Sequence, residues 1–302
     1  MIADRDFLRE VRAIAVPVTA QSVVMSLLLV TDQLMVGQLG TTAVAAVGIS
    51  SKLTAVLIVA LTGLATGVSI FAAQHWGSGD RDRIRHLLGL GLLLGLMFTA
   101  VITFFVAVFP RAVMSPFTAD SQVLAEGAVF VRVIALGYLP TMLTLMYSAV
   151  LRSTGSVRLP MWASIAAAVL NLVLDWLLIF GHLGLPRLGL EGAAIATTSA
   201  RVVEITVILV GAYAARHVVA VTRLADLRGA DARLLRHFAM VALPLAFNEL
   251  LWVLGETAYV VVYGRRGTDP LAGVARTFPL QSPARGLCTR RRHAARWTPR
   301  GA

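Results

Sequence analysis

Apolar positions along this chain come in runs of about 20 or more residues, the length a helix needs to cross about 30 Å of hydrocarbon, with short polar breaks between them. The pattern predicts seven spans, near 13–36, 43–74, 85–109, 123–151, 159–181, 190–215 and 236–263. The second is long for a single crossing and is expected to tilt or to project into the cytoplasm. Residues 4–12, Asp-Arg-Asp-Phe-Leu-Arg-Glu-Val-Arg, read as an amphipathic lead-in (1–12) at the membrane surface. The run from Ala13 to Val36 is long enough to span and has no small-residue cleavage end, so no cleavable signal is expected. The fold class that follows is an all-α membrane protein.

Composition agrees. With 57% hydrophobic and 14% charged residues and a mean hydropathy of +0.77, the chain lies far from a soluble domain, where about 25% is charged. The net charge of +11 suggests nucleic acid at first sight. Seven Arg between 276 and 302, with no acid among them, account for much of it, and without those seven the balance of +11 falls to +4. The remaining basic residues sit in loops, where they orient a membrane protein, so no nucleic-acid partner is expected. Alternate loops hold thirteen and four Arg, which predicts a cytoplasmic N-terminus in a multi-pass protein of the cytoplasmic membrane. The single cysteine, Cys288, excludes an intrachain disulfide and a thiolate metal cluster.

The stretch that carries chemistry is Asn171-Leu-Val-Leu-Asp175, inside the apolar run from Pro160 to Phe180. Four residues make about one helical turn, so the amide and the carboxylate share a face. A carboxylate at mid-membrane costs about 2.5 to 3.5 kcal/mol on insertion scales, which points to a proton or ion site turned toward the bundle interior. The competing reading is hydrogen bonding that holds helices together. A second acid in the first apolar run, Asp32, favours the ion site. Arg201 and Glu204, three apart, are expected to pair, and Lys52 and Arg132 to snorkel to the outer interface. Gly63 and Gly67 form a small-xxx-small pair suited to helix packing. His75, His86, His182 and His217 fall mostly at span ends, where an interfacial role is expected. Glu249 and Glu256 on the seventh span are further cation candidates. Phosphate-binding, metalloprotease and serine-hydrolase motifs are absent from the sequence, so the chain is read as no enzyme, powered by an ion gradient rather than ATP.

The segment from Gly37 to Val47 recurs in part from Gly264 to Val274. Gly37, Gly40, Thr41, Ala45 and Val47 match Gly264, Gly267, Thr268, Ala272 and Val274, and at the same offset Pro17 falls on Pro244. The seventh span therefore reads as the first span of a second copy running in the same direction. The expected organisation is a six-helix lobe over 13–215, a cytoplasmic linker over 216–235, the first helix of a second lobe over 236–275, and a basic irregular tail over 276–302. That tail has no apolar span and no helical period, and Lys52 is the only lysine beside 26 Arg. These features suggest a frameshifted or truncated remnant of the second lobe. A basic tail on anionic lipid is the alternative.

These residues resemble the multidrug and toxic compound extrusion (MATE) family, in its DNA-damage-inducible F-type (DinF-like) branch. The matching text is Pro17 to Asp32, Val36-Gly37-Gln-Leu-Gly40 and Ala45-Ala46-Val47-Gly48. It continues with Ala73-Gln74-His-Trp-Gly77-Ser-Gly79-Asp80, Leu151-Arg152-Ser-Thr-Gly155-Ser-Val-Arg158-Leu-Pro160, Asn171 to Asp175, and Gly189-Leu-Glu-Gly192-Ala193-Ala-Ile-Ala-Thr197. The resemblance implies an exporter of twelve helices in two six-helix lobes, driven by a proton or sodium gradient. Carried across by position, its cation site is Asp32, Asn171, Asp175 and Thr197, with Pro17 as the hinge of the first span. Two carboxylates, an amide and a hydroxyl suit a hard cation such as sodium, and the same carboxylates can take a proton instead. No cofactor beyond that coupling ion is expected. The expected partners are a small-molecule substrate, an organic cation or amphiphile, and membrane lipids, and the sequence sets no oligomeric state. The alternatives are a flippase for lipid-linked oligosaccharides and a non-transporting fragment.

Overall fold

The computed structural model describes residues 26–28, 30–118, 120–184 and 186–220, with isolated helical positions at 240, 244, 247, 248, 251 and 255. Helix α1 covers Ser26–Gly37. It is followed by α2 (Thr41–Gly77), α3 (Arg81–Val108), the short α4 (Pro110–Met114), α5 (Ser121–Leu136), α6 (Tyr138–Ser153), α7 (Arg158–Phe180), a 3-10 turn (His182–Gly184) and α8 (Leu190–Ala214). Among the described residues the regular structure is all helical. The chain divides into a unit of residues 1–249, which holds all of these helices, and a unit of residues 250–302, of which only 251 and 255 are described. The linker after 220, the second-lobe helix, the basic tail, the second copy of the repeat, Glu249 and Glu256 lie outside the described residues as continuous structure.

Four helices, α2, α3, α7 and α8, are each long and apolar enough to cross a membrane, and α5 with α6 makes a fifth crossing bent by 41°. The 37 residues of α2 extend about 55 Å, well beyond the hydrocarbon, in line with the length of its apolar run. Local signals set the ends. Asp120 caps α5 by accepting from the backbone N–H of Gln122 and Val123, and Asp80 caps α3 by accepting from Arg83. Gly181, at φ 73, closes α7 in the left-handed conformation.

The expected single span over 123–151 is one crossing made of two helices, bent where they meet. Pro140 has no N–H to give to the carbonyl of Leu136, so the helical ladder cannot run through this point. The chain turns tightly at Gly137, whose N–H bonds Ile134 O at 2.8 Å. That leaves the carbonyl of Val133 without its usual partner, and the Thr198 hydroxyl of α8 donates to it at 3.0 Å. A break inside an apolar run leaves hydropathy unchanged, which is why the pattern alone reads as one span.

The core forms where α6 packs on α2, α3 and α8, with α7 against α8 and α5 against both α2 and α8. Leu57, Leu61 and Val68 of α2, Leu87 and Leu88 of α3, and Met142 and Met146 of α6 are fully buried there. Gly63 and Gly67 are buried on α2, as helix packing by small residues requires. On α3, by contrast, Leu93, Met97, Val101, Phe104 and Phe105 are all more than half exposed, at helical spacing. They form the stripe that a bilayer covers.

After α8 the chain folds back as a strap. Val218, Val219 and Ala220 are buried, and Arg85 of α3 donates to the carbonyl of Val218 at 3.3 Å. His217 stacks near Trp76 at the end of α2 and bonds the Thr154 hydroxyl beyond α6 at 3.2 Å.

Candidate functional site

Helix α7 has two opposite faces. Trp162, Val169, Val173 and Trp176 are exposed and follow one another at intervals of seven, four and three residues. Ser164, Ala168, Asn171 and Asp175 follow at four, three and four, about half a turn away. The first set meets lipid and the second faces α8 and α1.

On the inner face Asp175 is fully buried, and neither of its carboxylate oxygens meets a hydrogen-bond donor among the described residues. Asp32, half-buried on α1, comes within hydrogen-bond reach of it. Two ionised carboxylates can only accept, so this contact carries a bond only when a proton lies between them. Asn171 Nδ2 donates to the Thr197 hydroxyl of α8 at 3.5 Å, at the long end for such a bond. With its nitrogen turned to Thr197, the amide keeps its oxygen for another partner.

Asp32, Asn171 and Thr197 line one cavity of about 340 Å³ with Ser164, Ala168 and Arg201. Asp175 is not on the cavity wall and connects to it through Asp32. The structure thus brings Asp32 beside Asp175 and Asn171 beside Thr197, the four residues that the resemblance implies for a cation site. Pro17, the expected hinge, lies outside the described residues. No group of three or more His, Cys, Asp or Glu suited to a metal ion occurs among the described residues. The two unsatisfied oxygens of Asp175, Asp32, the Asn171 carbonyl and the Thr197 hydroxyl fit a hard monovalent cation or a proton.

Two wall residues had no place in the expected site. Arg201 stands one turn after Thr197 on α8, and Ser164 two turns before Asn171 on α7, so helical spacing alone puts both on the inner faces. The expected pairing of Arg201 with Glu204 is present: Arg201 Nη1 donates to Glu204 Oε2 at 2.6 Å, with the Glu204 side chain buried. Arg201, Thr197 and Ser164 also line a second cavity of about 360 Å³, whose far wall carries Thr54, Tyr138 and Arg152. The Tyr138 and Thr54 hydroxyls bond each other at 3.2 Å.

Apolar membrane-crossing helices around a buried acid pair, with an amide and a hydroxyl beside it, define a polytopic membrane protein with an enclosed oxygen-donor site. The chain belongs to the MatE family, whose model matches residues 17–177. It is similar to the probable multidrug resistance protein NorM of Burkholderia pseudomallei, with 34% identity over 200 residues covering 64% of this chain and 42% of that protein. A second relative, the probable multidrug resistance protein NorM of Thermotoga maritima, is 28% identical over 196 residues, covering 65% of this chain and 42% of that protein. Among solved structures, a MATE protein in its straight conformation matches with TM-score 0.78 at 23% identity, over 89% of this chain and 59% of that one. A MOP superfamily transporter from Pyrococcus furiosus Vc1 matches with TM-score 0.77 at 23% identity, over 88% and 58%. The chain spans about two fifths of the length of the curated relatives it matches. These relatives are named as transport and resistance proteins, not enzymes.

Proposed function

We propose that this chain carries the cation-handling lobe of an antiporter, driven by protons or sodium, that exports drugs or small organic metabolites across the cytoplasmic membrane. The observation that carries the reading is Asp175, fully buried with two unsatisfied oxygens and facing Asp32. A bare buried carboxylate costs several kcal/mol, so the site calls for a proton or a small cation as its partner. Entry of that ion beside Asp32 changes the charge between α1 and α7, which couples its binding to the way the two helices pack. The substrate is a small drug-like molecule, of the organic cation or amphiphile class that the family resemblance implies; the curated relatives are named for multidrug resistance. We assign the chain to the DinF-like branch, with its N-terminus in the cytoplasm and a second lobe begun by the seventh span. A flippase for anionic lipid-linked sugars calls for unpaired cations on the cavity wall. Arg201 is tied to Glu204 instead, and Asp32 on the wall of the first cavity is backed by the buried Asp175, which favours the antiporter.

In a version of the protein with a complete second lobe, Asp32→Asn and Asp175→Asn are each expected to abolish export of a fluorescent organic cation from energised cells. Export retained by both variants would sink the proposal. The ion is identified on the purified chain, by whether added sodium over potassium, or a change of pH, raises its thermal stability in a manner lost in Asp175→Asn. A reporter fused after Gly40 is expected to appear outside the cell, and sequencing the DNA downstream of codon 275 tests the second lobe.

A further inference from the structure

Two arginines stand apart from the acid site. Where α3 ends at Val108 and turns through Phe109 into α4, α5 returns beside it and leaves a cleft of about 530 Å³. Val108, Phe109, Pro110, Ala128 and Val129 make its walls apolar, and Arg111 and Arg132 supply the charge. Among the described residues no carboxylate forms an ion pair with either arginine. The acid at the start of α5, Asp120, is occupied in capping that helix.

The depth of this charge is fixed by a hydrogen bond. Arg132 lies eleven residues into α5, yet its Nε donates to Ala107 O at 3.2 Å, in the last turn of α3. The apolar stretch of α3 from Leu87 to Val108 extends about 33 Å against about 30 Å of hydrocarbon, so its last turn reaches the headgroup layer. Arg132 thus reaches back along α5 and delivers its guanidinium to that layer, as a snorkelling side chain does. Both of its terminal NH₂ groups remain available as donors. Phe104, Phe105, Val108, Phe109 and Val129 are 58, 53, 48, 49 and 40% exposed. The three phenylalanines touch one another and make an apolar surface for acyl chains.

We propose that this cleft binds the headgroup of an anionic membrane phospholipid. Arg111 and Arg132 hold its phosphodiester oxygens through charge-assisted hydrogen bonds, and its chains lie along the aromatic surface. Two cations without an acid select a lipid with net negative charge over a zwitterionic one, whose ammonium group they repel. The proposal does not rest on transport and stands or falls apart from the acid site.

The test titrates the purified 302-residue chain in neutral detergent with phosphatidylglycerol, phosphatidylcholine or inorganic phosphate, read by native mass spectrometry and thermal unfolding. Phosphatidylglycerol is expected to remain bound and to raise Tm, and the other two to do neither. Arg111→Gln and Arg132→Gln are each expected to weaken phosphatidylglycerol binding about fivefold, the equivalent of one arginine at a membrane surface. Arg158→Gln, at the start of α7, is expected to leave it unchanged. Equal binding of both lipids, a Tm rise from phosphate alone, or full binding by Arg111→Gln together with Arg132→Gln would overturn the proposal. Should Arg132→Gln fail to fold for want of its bond to Ala107, Arg111→Gln alone decides.

Discussion

Asp175 is the side chain on which the site depends, and its part in ion binding can be measured. Asp175→Asn keeps the shape and removes the acid, so any rise of stability that sodium or a falling pH gives the parent is expected to be absent from the variant. Thermal unfolding in detergent with and without sodium, at two pH values, checks this. A variant that responds as the parent does would show that the ion binds elsewhere. The pairing of Asn171 with Asp175 was legible in the sequence, because a four-residue interval fixes the face they share. The approach of Asp32 could only be suspected there, since no local pattern relates α1 to α7. Arg201 and Ser164 were legible by the same helical interval. They passed unused because Arg201 read as half of an ion pair and nothing in the pattern singled out Ser164.

Helix contacts obey a different constraint, the space between backbones. Gly192 of α8 sits against Leu178 of α7, where an added Cβ would lie 2.8 Å from the carbonyl carbon and oxygen of Leu178. Backbone cannot step aside as a side chain can, so Gly192→Ala is expected to cost about 1–3 kcal/mol. Gly48 in α2 has open space around its missing Cβ, and Gly48→Ala is expected to gain about 0.5–1 kcal/mol from helix propensity. Denaturant melts of the two variants side by side provide the check. Thr198→Val is expected to cost about 1 kcal/mol, because it strips the donor from the Val133 carbonyl exposed by the bend. That bend had its signal in Gly137 and Pro140. Hydropathy, which located α2, α3, α7 and α8 to within a few residues, does not register backbone donors and so passed over it.

At the scale of the bundle, the strap that follows α8 ties together the end of α2, the start of α3 and the residue after α6. His217 Nδ1 accepts the N–H of Val219 at 3.4 Å, while Nε2 faces Thr154 Oγ1, itself donating to the carbonyl of Val150. The strap therefore suits the neutral imidazole. Burial holds His217 below its usual value, and the acid nearest Arg85, Asp82, is engaged with that arginine at 3.4 Å. A base depressed in the docked state stabilises docking above its free value of about 6.5, and the gain is lost as pH falls from there through the docked value. The protection of the Val219 and Ala220 amides, their exchange relative to the intrinsic rate at each pH, is accordingly expected to fall on acidification from pH 8 to pH 5. His217→Asn is expected to flatten that dependence, and equal protection at both pH values in the parent would refute the docking role. No sequence pattern showed this strap. It is polar in part, it lies past the last apolar position of α8, and its partners come from three other helices.

Trp176 lies next to Asp175 in the chain but on the outer face of α7, stacked on His182 at 4.1 Å, with the imidazole Nδ1 donating to its own carbonyl. That stack sets the surroundings of the indole, so the emission of the protein carries a signal from the outer face of α7, one residue along the chain from the acid pair, and Trp176→Phe is the background against which light from the site must be read.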